Sequence, residues 1–533
     1  MKFHNLYRSL IGGLILALAW PVSGLGWSTL LFIGFIPFLF LEKNIAEDSH
    51  DSKNFRLFNY TFLMLFVWNI LTTWWIYYAS FGGAAMAVIT NSFFMALVLL
   101  LFHVTRKKAG DFIGYFSLIL YWLAFEYIHL NWDLTWPWLT LGNGFATSHL
   151  YIQWYEYTGA LGGSLWILSI NLLLFTILTK GRNFIRIAGM LKLILLPALF
   201  SILITANYKT PNEGNINVVV VQPNIDPYNE KFSGLTPQEQ LQKMLALAEE
   251  KIDSNTDYLV GPETSLVNEM IETELEESPA IIDIRAFLKK HPQLTFVTGA
   301  STIKEYKPGE TISATARKWK GAEVEYIYDS YNTAMQIDTT KNIQLYHKSK
   351  LVPGVEKMPF PALMKPLEKF AINLGGTAGS LGMQEERSVF TSMNKKAVIG
   401  SIICYESVYG EFVGEYVNKG ANILCIITND GWWEDTPGYK QHLAYATLRA
   451  IETRRSIVRS ANTGTSCFIS PIGEISEPTK WWEPASIKQT VVLNSAKTFY
   501  TLHGDYIGKS ALLSAMGLLI YLILLRFKLV KKS

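Results

Sequence analysis

The sequence predicts two structural parts: a polytopic α-helical membrane domain of about eight spans, and an extracytoplasmic α/β domain. Half of the 533 residues are hydrophobic and only 17% are charged, whereas ordinary soluble chains are about a quarter charged. Long apolar runs rich in Trp, Phe and Leu fill residues 1–206. Residues 207–508 show the strand–helix alternation of an α/β domain, and 509–533 form a last span with a basic tail.

Eight segments are long enough to be spans, since a helix needs about 20 apolar residues to cross the hydrocarbon core. The first two are short and joined by Pro21, Gly24 and Gly26, so we expect a tight hairpin there. Alternatively, the first is a cleaved signal peptide flanked by Lys2 and Arg8, although no small-x-small cleavage site follows it. The segments lie near 8–24, 27–42, 57–79, 83–103, 112–130, 160–179, 187–206 and 509–526.

The placement of Lys and Arg predicts the orientation of the spans, because cytoplasmic loops carry the excess of basic residues. With the N-terminus in the cytoplasm, the short outside segments 25–26, 80–82 and 131–159 contain no Lys or Arg. This asymmetry places residues 207–508 outside the cytoplasm. The basic residues of the inside segments are Lys2, Arg8, Lys43, Lys53, Arg56, Arg106, Lys107, Lys108, Lys180, Arg182, Arg186, Arg526, Lys528, Lys531 and Lys532.

Two outside segments are unusually rich in large apolar residues. Segment 131–159 contains Trp132, Trp136, Trp138 and Trp154, which fit either an aromatic belt at the interface or a platform beside a lipid-handling site. Segment 349–390 has no regular pattern, and such long loops are usually functional or disordered. We expect either a lid that admits lipid or extra core on the sheet. Its large apolar residues are Met358, Phe360, Leu363, Met364, Leu367, Phe370 and Leu374.

The α/β part alternates short apolar runs with amphipathic segments, which predicts a central sheet flanked by helices. We expect helices at 237–253, 279–290, 408–419 and 438–460. We expect strands at 215–225, 258–261, 294–300, 324–337, 343–347, 396–403, 421–428, 465–470 and 489–493.

Three reactive side chains follow predicted strands, and strand ends are where sites form in α/β sheets. Glu263 lies in Gly-Pro-Glu-Thr, Lys348 in Tyr-His-Lys-Ser-Lys-Leu-Val-Pro, and Cys404 in Gly-Ser-Ile-Ile-Cys-Tyr-Glu. A thiol is mostly protonated at neutral pH, so Cys404 would need a base, and Glu263 could act as one if burial raised its pKa. Lys348 could stabilise the negative oxygen of a tetrahedral intermediate.

Each of these residues also has an ordinary structural interpretation. Glu263 fits a helix N-terminus or an ion pair, and Lys348 fits a solvated face. Cys404 fits a small buried hydrophobe, which is the commonest fate of a free cysteine. Cys425 and Cys467 lie inside apolar strand runs and are expected to be core, and three cysteines form no disulfide framework.

The composition excludes some classes of partner and indicates no metal. The net charge is +3, and the soluble part has no Lys/Arg stripe with interleaved aromatics, so a nucleic-acid partner is not expected. No His, Cys or carboxylate cluster has the spacing of metal ligands.

The order Pro-Glu, Lys-x-x-Leu-Val-Pro and Cys-Tyr-Glu resembles the Glu-Lys-Cys triad of the nitrilase superfamily. The segment 429–433, Asn-Asp-Gly-Trp-Trp, resembles the segment that follows the next strand in that superfamily. Seven spans, a nitrilase-like domain and a final span together resemble the apolipoprotein N-acyltransferase family over essentially the whole chain. The resemblance implies an αββα sandwich with Glu263 as base, Lys348 as oxyanion stabiliser and Cys404 as nucleophile.

The same resemblance implies five supporting or substrate-binding residues: Glu356, Tyr405, Glu406, Asn332 and Phe232. The sequence departs from the family pattern in two places. The family usually has Leu-Val-Pro-Phe-Gly-Glu, whereas here Gly and Val follow the proline, and Phe232 stands where the family tends to have Trp. Both departures put the fine substrate preference in question.

The implied reaction is a two-step acyl transfer that needs no cofactor. The donor is a phospholipid, expected to be phosphatidylethanolamine, which forms a thioester with the enzyme. The acceptor is the N-terminal amine of a diacylglyceryl-cysteine apolipoprotein. The implied location is the bilayer of a bacterial inner membrane, with the catalytic domain in the periplasm. The alternatives are a membrane-tethered amidase or nitrilase that uses water as acceptor, and a non-enzymatic scaffold or transporter.

Overall fold

The computed structural model describes residues 2–22, 27–49, 52–209, 211, 213–319, 326–357, 380–392 and 396–530. The chain divides into two compact units, residues 1–208 with 503–533, and residues 209–502. The large apolar residues between 358 and 374, on which the lid hypothesis depends, lie outside the described residues.

The first unit is helical. Among the described residues, six helical segments of this unit are long and apolar enough to cross a membrane. Two of the eight predicted spans, 83–103 and 112–130, correspond to a single one of these segments, the run Phe81–His129. That run is interrupted at Gly110, whose φ of +84° is not helical. The exact number of spans stays a prediction. The helices are α1 Lys2–Ala19, α2 Ile36–Glu47, α3 Lys53–Thr73, α4 Ile76–Ala79, α5 Phe81–His129, α6 Tyr155–Lys180 and α7 Phe184–Asn207. A helix at the C-terminal end, Tyr506–Val530, belongs to the same unit.

The tryptophan-rich segment packs inside this helical unit. Trp138 is fully buried, and its ring lies 4.9 Å from Trp75 and 5.3 Å, stacked, from Trp136. Trp154 is also buried and meets Trp166 edge-on. Trp138 therefore packs against aromatic partners within the helical unit, whereas the position of segment 131–159 relative to a membrane interface stays a prediction.

The second unit contains two sheets. The first sheet has the strand order β14-β1-β2-β4-β6-β5, with β3 paired to β4 and β7 paired to β6. The second has the order β13-β12-β11-β10-β9-β8, and its central strands β9, β10 and β11 are parallel. The strands are β1 Asn215–Gln222, β2 Tyr258–Val260, β3 Leu266–Ile271, β4 Thr295–Glu305, β5 Arg317–Lys318, β6 Ile327–Ile337, β7 Gln344–His347, β8 Val389–Thr391, β9 Val398–Ile403, β10 Ile423–Thr428, β11 Ile457–Ala461, β12 Cys467–Ile469, β13 Ile475–Ser476 and β14 Ala485–Val492.

The sheets pack face to face, and helices cover their outer faces, which confirms the predicted αββα sandwich. On the first sheet lie α8 Pro237–Glu249 and α9 Pro279–Lys290, whose apolar faces join one buried cluster with β1, β2 and β4. A capping box between Thr236 and Glu239 starts α8, as the Thr-Pro-x-Glu pattern allows. On the second sheet lie α10 Gly410–Asn418 and α11 Pro437–Thr453. The remaining helices are α12 Phe499–His503 and α13 Tyr506–Val530.

The predicted helix at 438–460 is wrong in its last seven residues. Helix α11 ends at Thr453, and Arg454 takes a left-handed conformation with φ of +51°. Residues 457–461 then form β11, which pairs in parallel with β10. The apolar residues Ile457 and Val458 fit the periodicity of a helix and that of a strand. The segment forms a strand because it pairs with β10. The short strands β3, β5, β8 and β13 were not predicted.

Candidate active site

The three residues of the predicted triad follow the ends of three strands and lie in one buried site. Glu263 follows β2, Lys348 directly follows β7, and Cys404 directly follows β9. All three side chains are buried, with exposed fractions of 6%, 1% and 8%. Cys404 has a φ of +51°, a left-handed conformation that non-glycine residues rarely adopt outside sites where the surroundings hold them.

Lys348 connects two carboxylates at the centre of the site. Its ammonium nitrogen lies 3.0 Å from Oε1 of Glu263 and 2.8 Å from Oε1 of Glu356. The side-chain amide of Asn332 donates to the same two oxygens, at 2.8 Å and 3.3 Å. The backbone N–H of Asn429 donates to the other oxygen of Glu263 at 3.0 Å. One carboxylate thus accepts from three partners, which fixes its position.

These contacts set the charges of the site. Burial favours the neutral form of Glu263, but the charge of Lys348 and the bond from Asn332 outweigh it and hold the pKa below its ordinary value. The condition set for Glu263 as a base, a pKa raised by burial, is therefore not met, because the net pKa is lowered. Burial likewise disfavours the charge of Lys348, yet Glu263 and Glu356 raise that pKa well above its ordinary value. The pair is ionised at neutral pH.

The thiol responds in the opposite way. Burial first, and then the charge of Glu263, raise the pKa of Cys404 well above its ordinary value, although Lys348 opposes the shift. Cys404 is consequently a protonated thiol at rest, beside an ionised carboxylate that can accept its proton as a bond to carbon forms.

Glu356 reaches Lys348 through a tight turn at the place where the sequence departs from the family pattern. Gly354 has a φ of +80°, which suits glycine, and its N–H donates to the carbonyl of Lys357 at 2.8 Å. The Glu356 carboxylate closes the turn by accepting from the N–H of Val352 at 2.9 Å. The Pro-Gly-Val version of this segment therefore still places a carboxylate on Lys348.

Glu406 connects the strand that carries Cys404 to the strand that carries Lys348. Its oxygens accept from the N–H groups of Ile403 at 2.8 Å and Ser349 at 2.6 Å, and from the hydroxyl of Tyr346 at 2.7 Å. It is fully buried, and burial raises its pKa. Tyr405 is buried and meets Tyr409 edge-on at 5.3 Å. Glu406 thus links the two strand ends by hydrogen bonds, and Tyr405 packs against Tyr409.

Phe232 lies apart from this polar cluster. Half of its surface is exposed, and its ring stacks on Trp432 at 6.5 Å. Its neighbour Lys231, which the sequence did not single out, is buried instead, with its ammonium donating to the carbonyl of Glu263 at 3.4 Å and to the hydroxyl of Thr264. Burial lowers the pKa of Lys231 to about 8, against the opposing charge of Glu263. The sequence feature that could have pointed to Lys231 is its place directly before Phe232, the position where the family tends to have Trp.

The other cysteines are unlike Cys404. Cys425 lies inside β10 and Cys467 begins β12, both are buried, and burial raises the pKa of each to about 12. None of the three is in a disulfide. Within the described ranges, no group of three or more His, Cys, Asp or Glu residues is arranged to hold a metal ion.

Comparison with known proteins agrees with the two-part organisation. A family model for carbon-nitrogen hydrolases matches residues 217–500, and a model for the apolipoprotein N-acyltransferase N-terminal domain matches residues 12–173. Apolipoprotein N-acyltransferase of Chlorobaculum tepidum is 29% identical over 515 residues, covering 94% of this chain and 93% of the relative. The Geobacter metallireducens protein of that name is 25% identical over 93% of this chain and 91% of the relative.

Among solved structures, Saccharomyces cerevisiae Nit3, a member of branch 10 of the nitrilase superfamily, has 14% identity and a TM-score of 0.38, covering 55% of this chain and 96% of that one. An amidase from Nesterenkonia sp. has 15% identity and a TM-score of 0.35, covering 56% of this chain and 97% of that one.

The chain belongs to the carbon-nitrogen hydrolase family, the class that the motifs around Glu263, Lys348 and Cys404 predict. Within that class, its similarity over nearly the whole length is to bacterial proteins named apolipoprotein N-acyltransferase, so the predicted resemblance is confirmed.

Proposed function

We propose that this chain transfers an acyl group from a phospholipid to the N-terminal amine of an apolipoprotein, through a thioester on Cys404. The observation that carries the proposal is the combination, in one chain, of an N-terminal part that matches the acyltransferase N-terminal domain with a buried Glu263–Lys348–Cys404 arrangement. A soluble amidase has no use for the first of these two features.

In the first step, the Cys404 sulfur attacks the sn-1 ester carbonyl of the phospholipid while Glu263 takes the thiol proton. Lys348 stabilises the negative oxygen of the tetrahedral intermediate. A C–S bond forms, the ester C–O bond breaks, and Glu263 returns its proton to the departing lysophospholipid oxygen.

In the second step, the α-amine of a diacylglyceryl-cysteine attacks the thioester. A C–N bond forms and the C–S bond breaks, and Glu263 takes a proton from the amine and returns it to the departing Cys404 thiolate. Phosphatidylethanolamine as donor, and a periplasmic site at the inner membrane, complete the proposal. The basic-inside loops of the helical unit support that orientation.

Thioester trapping tests the proposal directly. The detergent-solubilised chain is incubated with phosphatidylethanolamine labelled in the sn-1 acyl chain, and the protein is separated with and without hydroxylamine, which cleaves thioesters. We expect a hydroxylamine-sensitive label that a diacylglyceryl-cysteine peptide removes as its N-acylated product. Release as free fatty acid alone, with the peptide unmodified, would instead identify a hydrolase.

Three variants assign the label to one residue. Cys404→Ala should remove the label, whereas Cys425→Ala and Cys467→Ala should keep it, because both of these thiols lie within the strands of the second sheet. Circular dichroism and the thermal midpoint verify that each variant is folded. Normal labelling of folded Cys404→Ala would exclude Cys404 as the nucleophile.

A further inference from the structure

The carbonyl of Cys404 is held by two buried donors. The ring nitrogen Nε2 of His442 lies 3.1 Å from this oxygen, and the hydroxyl of Ser407 donates to it at 2.8 Å. Nε2 also lies 2.9 Å from the Ser407 hydroxyl oxygen. Because a carbonyl oxygen only accepts, the nitrogen that faces it carries the proton.

The opposite side of the His442 ring faces two charged groups. Nδ1 lies 3.0 Å from Oδ1 of Asp430 and 3.2 Å from a guanidinium nitrogen of Arg459, which also donates to the other oxygen of Asp430 at 2.6 Å. Thr428 donates to Oδ1 at 2.8 Å. His442, Asp430 and Arg459 have no exposed surface. Arg459 and His442 hold the pKa of Asp430 well below its ordinary value despite its burial.

This chain of contacts joins four separate pieces of the fold. His442 comes from α11, Asp430 follows β10, Arg459 lies in β11, and Cys404 follows β9. Buried charges are costly unless they are paired and hydrogen-bonded, and a simple apolar layer would fill this space at lower cost. The network ends on the carbonyl of Cys404, and Cys404 is the residue of this group whose backbone is left-handed.

We infer that His442 is a positioning residue, which holds the Cys404 carbonyl and thereby keeps the thiol aimed at Glu263 and Lys348. Asp430 orients the ring, Arg459 neutralises Asp430, and Ser407 assists at the same oxygen. The inference rests on the proposed role of Cys404 as nucleophile and adds a set of residues to it.

Substitution of His442 separates positioning from simple folding support. His442→Ala should lower the rate constant of Cys404 acylation by phosphatidylethanolamine about 100-fold, the loss that a displacement of about 1 Å causes, with little change in donor KM. His442→Gln places an amide N–H where Nε2 was, and should recover much of the rate. Thr453→Val is the matched control, since this residue of the same helix is buried and its hydroxyl donates to the carbonyl of Arg449.

The variants are compared at equal folded fraction, judged by thermal midpoint. Should His442→Ala not fold, His442→Gln and Ser407→Ala decide instead, and Ser407→Ala should lower the acylation rate constant without changing donor KM. A folded His442→Ala or Ser407→Ala with the wild-type acylation rate would overturn the inference. So would rate losses equal in His442→Gln and His442→Ala, because that pattern indicates packing rather than a donated hydrogen bond.

A second readout keeps the inference separate from the proposed function. Alkylation of Cys404 by iodoacetamide needs no phospholipid, and a thiol released from its buried position should react at lower pH in His442→Ala than in the wild type or in Thr453→Val. Absence of any wild-type thioester would refute the acyl transfer alone, while an unchanged alkylation profile in His442→Ala would refute the positioning role.

Discussion

At the scale of single residues, the proposed base and the proposed nucleophile differ in their affinity for a proton. Glu263 is stabilised as a carboxylate by Lys348, and Cys404 is stabilised as a thiol by burial and by the nearby carboxylate. Transfer of the proton between them is therefore uphill at rest. It becomes favourable only as the sulfur shares its electrons with a carbonyl carbon, so a resting thiolate is not required.

Glu263→Gln should consequently have two opposite effects. Acyl transfer should fall at least 100-fold, since general bases contribute about that much or more. Alkylation of Cys404 by iodoacetamide should shift to lower pH, because loss of the negative charge removes one cause of the raised thiol pKa. The measurement is the pH profile of alkylation, with Glu249→Gln on the exposed surface as control. A shift to higher pH would contradict these charge assignments.

The lowered pKa of Lys231 predicts that its contribution to stability depends on pH. Its pKa falls from the ordinary 10.5 to about 8 in the fold, so between these values the unfolded chain binds more protons than the folded chain. Stability contributed by this group therefore rises with pH across that window. The difference in thermal midpoint between wild type and Lys231→Met should grow in favour of the wild type from about pH 8 toward 10.5. A constant difference would show that Lys231 does not titrate there.

At the scale of elements, the site depends on how the ends of β7 and β9 are joined. Glu406 accepts from backbone N–H groups at both ends, so Lys348 and Cys404 cannot shift independently. The same logic explains the turn that presents Glu356 to Lys348. Strand ends supply reactive side chains, and short buried bonds between the ends determine their spacing.

Glu406→Gln should weaken this connection. An amide group must direct N–H donors toward N–H donors at one of its two positions, which leaves buried groups unsatisfied at a cost of about 1–3 kcal/mol. We expect a lower thermal midpoint together with slower acylation of Cys404. Glu474→Gln, in an exposed turn of the same unit, should change neither. A full retention of midpoint and rate in Glu406→Gln would show that the connection is dispensable.

At the scale of the whole molecule, the division into a helical unit and an α/β unit follows the division of composition along the chain. Its orientation in a membrane is a separate matter that the basic loops predict. Labelling of single cysteines placed at exposed positions tests this.

We expect Lys107→Cys and Arg182→Cys to react with an impermeant maleimide only after the cytoplasmic side is opened. Asn131→Cys and Lys341→Cys should react from outside in intact spheroplasts. All four positions are exposed, and the three native cysteines are buried, so the unsubstituted chain serves as the blank. Protection of Lys341→Cys in intact cells would place the α/β unit in the cytoplasm.

The class of fold can be predicted from the sequence, because membrane spans and strand–helix alternation depend on local composition and periodicity. The triad candidates can also be predicted, because each stands in a short motif at a strand end. The end of the long helix cannot be predicted, since Ile457 and Val458 fit a helix or a strand equally well until β10 is available as a pairing partner.

The charges of the site and the identity of its supporting residues depend on tertiary contacts. The pKa of Glu263 depends on Lys348, 85 positions away, and on the side chain of Asn332, 69 positions away. In the sequence, Lys231 lies in an ordinary loop and His442 in an ordinary helix. Their importance follows only from their contacts, of Lys231 with Glu263 and of His442 with Cys404. Electrostatic interactions and hydrogen bonds depend on the distance between groups in space, and this distance cannot be deduced from the local sequence.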